Sequence, residues 1–111
     1  MESKRIQRVE RLLQKELSEI FRRQTSKTHG VIVSVSKVHV SSDLSVCRAY
    51  LSIFPSSSAQ QILDNINRNA VSVRYELAGR VRYQLRRIPE ITYFIDDSLD
   101  YIEHIDSLLK Q

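Results

Sequence analysis

Apolar residues in the first 25 positions recur at helical spacing. Ile6, Val9, Leu13, Leu17, Ile20 and Phe21, with Leu12 at the margin, form one stripe, which predicts a long amphipathic helix. The polar run from Gln24 to Gly30 reads as a loop. The next ten residues, VIVSVSKVHV, are rich in β-branched side chains and read as a strand. Val31, Val33 and Val35 share one parity, whereas Val38 and Val40 have the other. A period-two pattern changes phase only at an irregularity, so a bulge is predicted near Ser36-Lys37. Ser41-Ser42-Asp43-Leu44 makes a turn. A second strand then runs from about Val46 to Phe54, with Cys47, Ala49, Leu51 and Ile53 on one face. The pair forms an antiparallel hairpin.

Pro55 ends that strand, and SSSAQQIL opens a helix, with Ser57–Gln60 or Ser58–Gln61 at capping-box spacing. Ile62, Leu63 and Ile66 supply its apolar side. Asn65, Asn67 and Asn69 weaken helix propensity, which predicts a break or kink somewhere between Asn65 and Asn69. A longer helix follows to about Arg87, its stripe made of Ala70, Val73, Leu77, Ala78, Val81, Leu85 and Ile88. Pro89 stops it, because a residue before proline is biased away from helix. ITYFID is a third strand. Asp97 and Asp100 then stand as N-cap and N3 of a last helix bearing Leu99, Ile102, Ile105, Leu108 and Leu109. The order is α-β-β-α-α-β-α, an α+β class.

With 111 residues, 41% hydrophobic and 27% charged, the chain is expected to form a single domain over residues 1–111, with 97–111 as its C-terminal helix or tail. One cysteine, Cys47, excludes an intramolecular disulfide and reads as a small core residue. No apolar run is long enough to span a bilayer, and the opening residues lack a signal-peptide block. The expected compartment is the cytoplasm.

Charge distribution changes the picture more than its total of +4. Residues 1–30 and 68–90 each carry +4, residues 31–67 are neutral, and residues 91–111 carry −4. Lys4, Arg8, Arg11, Lys15 and Arg22 fall within an arc of roughly 60° at helical spacing, nearly opposite the apolar stripe. Arg68, Arg80, Arg82, Arg86 and Arg87 add a second basic set. Solvated helix faces usually mix signs; a one-sided row suits a polyanion. These ten residues are the candidate nucleic-acid contacts. The competing reading is a protein–protein adaptor whose basic helices meet an acidic partner.

Catalytic patterns are missing. Gly30 and Gly79 are the only glycines, too few for a phosphate-cradling loop. His29, His39 and His104 are scattered and offer no metal-ligand spacing, and Asp96-Asp97 reads as strand-ending and helix-capping carboxylates. No enzyme activity, cofactor, metal or small-molecule substrate is expected. Arg74 lies within the apolar arc of its helix, so a structural ion pair with Asp43 or Asp96 is expected.

The run VSKVHVSSDLSVCRAYLSIFP resembles the hairpin of the bacterial ribosome-binding factor A family. RYELAGRVRYQLRRIPEITYFIDDSLDYIEHIDSLLK resembles that family's arginine-bearing helix, proline-glutamate corner, third strand and aspartate-capped ending. RIQRVERLLQKELSEIF matches its first helix. The resemblance covers nearly the whole chain. It implies a type II KH-like fold with helices on one face of a three-stranded sheet. It also implies a non-catalytic small-subunit assembly factor, monomeric, which binds free small ribosomal subunits and their rRNA and assists rRNA maturation, notably in the cold. The family often has an alanine-any-glycine kink between the second and third helices. Here the matching positions read Asn69-Ala70-Val71, and Asn69 tolerates a left-handed conformation.

Overall fold

The computed structural model describes residues 4–28 and 30–96. Helix α1 runs Lys4–Thr25, and its buried residues are Ile6, Val9, Leu13, Leu17, Ile20 and Phe21, the stripe that the spacing predicts. Leu12 is half-buried at its margin. Leu13, Leu17 and Ile20 have no solvent exposure, so truncating any of them to alanine opens a cavity costing about 2–5 kcal/mol.

Strands β1 (Ile32–Val40) and β2 (Val46–Phe54) form the antiparallel hairpin. The register slips between Val35 and Lys37, leaving Ser36 as the extra residue. Its hydroxyl donates to Asp96 Oδ2, and its oxygen also lies 3.1 Å from the Tyr50 carbonyl oxygen. The bulge lets Val33, Val35, Val38 and Val40 all point inward from one strand. Cys47, Ala49, Leu51 and Ile53 face them from β2.

The chain then makes a 3₁₀ turn at Ser56–Ser58 and enters α2 (Ala59–Arg68) and α3 (Ala70–Val81). The expected capping box is not formed: Ser58 occupies the N-cap without a side-chain bond. The Ser58 amide donates to the Pro55 carbonyl instead, and Gln60 reaches forward to Asp64 Oδ1 at 3.0 Å. The 3₁₀ turn occupies the entry that a side-chain cap would otherwise organise.

The break falls at Asn69, as the asparagine cluster predicts. Its conformation is φ −102°, ψ 17°, a bridge geometry rather than a left-handed one. The Asn69 Nδ2 donates back to the Asn65 carbonyl at 2.8 Å, closing the end of α2.

Helix α3 ends at Val81, six residues before the expected Arg87. The continuation Arg-Tyr-Gln-Leu-Arg-Arg would set Arg82 and Arg86 four apart as like charges, which opposes helix. The chain must also cross from the helical layer to the sheet before Pro89. Leu85 and Ile88 still pack against the core, but from a loop.

Strand β3 (Glu90–Ile95) pairs parallel with β2, so the sheet order is β1-β2-β3. Helices cover the face that carries the valines, Leu51 and Tyr93. Among the described residues no helix covers the other face, which carries the stacked Tyr50–Phe94 pair, with centroids 5.4 Å apart. Phe21 meets Tyr93 edge-on at 5.7 Å across the core. Among the described residues β1 is an edge strand, and α1 lies along it. Gln14 Nε2 donates to the carbonyls of Val35 (3.1 Å) and Ser36 (3.3 Å), and Glu10 Oε2 accepts the Val40 amide at 2.9 Å. The expected final helix over 97–111 and its Asp97 cap lie outside the described residues.

Candidate nucleic-acid interface

The positive side chains divide into those already engaged by carboxylates and those that face solvent. Arg80 belongs to the first group. Its Nη1 lies 3.2 Å from Glu16 Oε2 and 2.9 Å from Glu19 Oε2, and its Nη2 lies 3.7 Å from Glu76. Burial alone would lower its pKa, but the hydrogen bond and charge of Glu16, with the charges of Glu76 and Glu19, raise it. Arg23 pairs with the same Glu76. Arg80 therefore ties α3 to α1, and its charge is balanced within the fold.

The second group converges on a groove. Arg5 from α1, Asp43, Leu44 and Ser45 from the hairpin turn, and Arg82, Tyr83, Gln84, Leu85, Arg86 and Arg87 from the α3–β3 loop surround about 420 Å³. A neighbouring hollow lined by Arg5, Arg8, Val9, Leu12, Gln84 and Leu85 continues it along α1. Among the described residues, Arg5, Arg8, Arg82, Arg86 and Arg87 are all exposed and make no ion pair. Two basic segments distant in sequence thus become one surface.

Both ends of the arginine loop are anchored. At its start, the amides of Gln84 and Leu85 both donate to the carbonyl of fully buried Val81 at 2.9 Å. At its end, Arg74 donates from Nη2 to the Ile88 carbonyl at 2.8 Å and from Nη1 to the Pro89 carbonyl at 2.9 Å. This overturns the expected ion pair with Asp43 or Asp96. The buried residues of α3 are Val73, Leu77 and Val81, a stripe narrower than expected. Arg74 falls beside it, exposed, with its guanidinium on backbone carbonyls.

Asp43 organises the opposite wall. Its Oδ1 accepts the Ser41 hydroxyl (2.8 Å), the Ser45 hydroxyl (2.7 Å) and the Ser45 amide (3.1 Å). Led by the Ser45 hydroxyl, these donors hold its pKa at about 2. Leu44 sits at φ 61°, a left-handed conformation unusual for leucine, which the Ser41–Asp43–Ser45 network supports. The Glu90 amide donates to the Ser45 carbonyl at 2.9 Å, joining this turn to the start of β3. Asp96, for its part, is engaged with Ser36.

The structure brings Arg8, Arg82, Arg86 and Arg87 together at the groove. Lys4, Arg11 and Lys15 lie exposed on α1. Arg22 lines a different hollow, with Ser18, Thr25 and Ser34, near the C-terminal end of α1. Arg68 is exposed at the end of α2. Two groove residues escape the sequence reading. Arg5 lies outside the basic row of its helix, and Tyr83 looks like an ordinary surface position if α3 is taken to continue. Tyr83 is 87% exposed, and the Arg82 guanidinium carbon lies 5.0 Å from its ring centroid. Among the described residues no group of histidine, cysteine and carboxylate side chains is placed to hold a metal ion. No described helix is long and apolar enough to cross a membrane.

A family model described as ribosome-binding factor A matches residues 5–109. The chain belongs to the ribosome-binding factor A family. It is 46% identical over 111 residues to ribosome-binding factor A of Flavobacterium johnsoniae, covering 98% of this chain and 85% of that one. It is 41% identical over 112 residues to the same factor from Christiangramia forsetii, again covering 98% and 85%. Among solved structures it is similar to a homology model of Thermus thermophilus ribosome-binding factor A fitted into a cryo-EM map of a 30S complex. That match has a TM-score of 0.66 at 26% identity, over 81% of this chain and 93% of the other. The crystal structure of the Thermus thermophilus factor has the same fold, with a TM-score of 0.65 at 24% identity over 81% and 94%. The α+β arrangement implied by the family resemblance, with helices on one face of a three-stranded sheet, is the one described above.

Proposed function

We propose that this protein is a small-subunit assembly factor: one cytoplasmic RNA-binding domain over residues 1–111, monomeric, that binds the free small ribosomal subunit and its rRNA and assists rRNA maturation without catalysing a reaction. The observation that carries this reading is the convergence of Arg5, Arg8, Arg82, Arg86 and Arg87 on one groove with no carboxylate partner among the described residues. Unbalanced arginines held on an anchored loop suit a phosphate backbone, where binding releases counterions. The match to a relative fitted into a 30S complex supplies the class of RNA. A non-catalytic role agrees with Cys47, the chain's one thiol, which is buried and pushed up to about 12 by burial and the Glu10 charge.

Sedimentation tests the proposal. The protein is expected to co-migrate with free small subunits and to be scarce on translating ribosomes. A deletion strain is expected to accumulate immature small-subunit RNA, most visibly in the cold. Equal occupancy of translating ribosomes, or pull-down of a protein partner that survives nuclease treatment, would favour the adaptor reading instead.

A further inference from the structure

Tyr83 is the feature of the groove that charge alone does not explain. Its ring is almost fully exposed among arginines, where a polyanion site needs no aromatic surface. Arg82 lies against the ring at 5.0 Å, within cation–π range, which steadies it and leaves ring surface available. Arg86 and Arg87 line the same groove. Asp43 stands in the opposite wall, where a carboxylate repels phosphate, so a phosphate in the groove belongs on the arginine side. The groove's volume of about 420 Å³ suits a ligand of small-molecule size.

We propose, resting on the RNA-binding reading above, that this groove takes one unstacked nucleotide of single-stranded RNA, its base on the Tyr83 ring and its phosphate among the arginines. Duplex RNA keeps its base faces inside the stack, so it offers Tyr83 nothing beyond phosphates. A base on an aromatic ring is sequence-tolerant, because every base has a π-face. The groove therefore selects RNA by strandedness and not by sequence.

The chain contains no tryptophan, so Tyr83→Trp creates a single fluorescent reporter at the platform. Single-stranded oligonucleotides are expected to quench it. An abasic strand of equal length and a duplex are expected to bind without quenching. Tyr83→Ala is expected to weaken single-strand binding by about 5- to 150-fold, the range for one base stacked on an aromatic ring, with duplex binding unchanged. Tyr83→Phe should stay within about two-fold of the parent, since the ring is kept. Melting curves confirm that each variant is folded, as expected at so exposed a position. If Tyr83→Ala binds single strands as the parent does, while Arg86→Ala and Arg87→Ala weaken single strand and duplex alike, the stacking proposal is overturned and the RNA-binding function stands. A parent protein that binds neither form would overturn both.

Discussion

Arg80 on α3 and Glu19 on α1 meet at 2.9 Å, and this contact removes Arg80 from the surface that nucleic acid can use. Glu16 and Glu76 complete the enclosure. Arg80→Ala leaves three carboxylates facing one another without their shared cation. The expected loss is about 1–3 kcal/mol, limited by the partial exposure of the cluster. Thermal melting measures it. RNA affinity of the folded variant is expected to match the parent, and a loss there would return Arg80 to the interface.

Arg74 holds the far end of the arginine loop through two carbonyls. Water can reach part of this site, so Arg74→Ala is expected to cost about 1–2 kcal/mol, less than removal of one half of a buried ion pair. Arg74→Lys should recover only part of it, because a single ammonium does not reproduce the two-pronged geometry. A double-mutant cycle with Arg87→Ala checks the link to the groove: non-additive RNA affinities are expected.

Salt dependence separates the groove from the rest of the charge. Each phosphate contact removed from a single strand should lower the slope of log affinity against log salt by about 0.7. Arg5→Ala, Arg86→Ala and Arg87→Ala are each expected to do so. Arg22→Ala, which lies by a different hollow, should leave the slope unchanged.

The Asp43 carboxyl titrates at about 2 in the folded chain, below its ordinary 3.8. The unfolded chain therefore binds this proton more readily than the native one. Ionised Asp43 stabilises the hairpin turn fully above about pH 4, and that contribution disappears as pH falls through about 2. The difference in Tm between the parent and Asp43→Asn should be constant from about pH 7 to about pH 5 and close as pH drops from about 4 towards 2. A gap that persists at the acid end would mean that the carboxylate charge is not what matters in the turn.

Several elements were readable from residue spacing because burial alone sets them. The α1 stripe repeats over a helix of 22 residues, long enough for the period to dominate. The change of parity between Val35 and Val38 has one simple resolution, and the bulge at Ser36 provides it. The end of α3 was not readable, since Leu85 and Ile88 continue the helical spacing while packing from a loop. That same extension widened the apparent stripe and drew Arg74 into it. Its true partners are backbone carbonyls, which leave no mark in a pattern of side chains. The basic segments were visible, but their meeting point was not. Arg5 and Tyr83 gain their significance only where α1, the hairpin turn and the α3–β3 loop come together.

The placement of α1 along β1 bears on what happens at high concentration. An unpaired strand edge is a template on which another chain can add a strand, and soluble proteins blunt such edges. Here two side chains of one helix do it: Gln14 occupies the Val35 and Ser36 carbonyls, and Glu10 occupies the Val40 amide. These groups stand near the middle and at the end of β1, so an incoming strand would meet committed acceptors and a committed donor along it. Leu13 and Leu17 on the same helix hold those polar side chains in register with the strand. The first helix thus guards the β1 edge against self-association as well as closing the core.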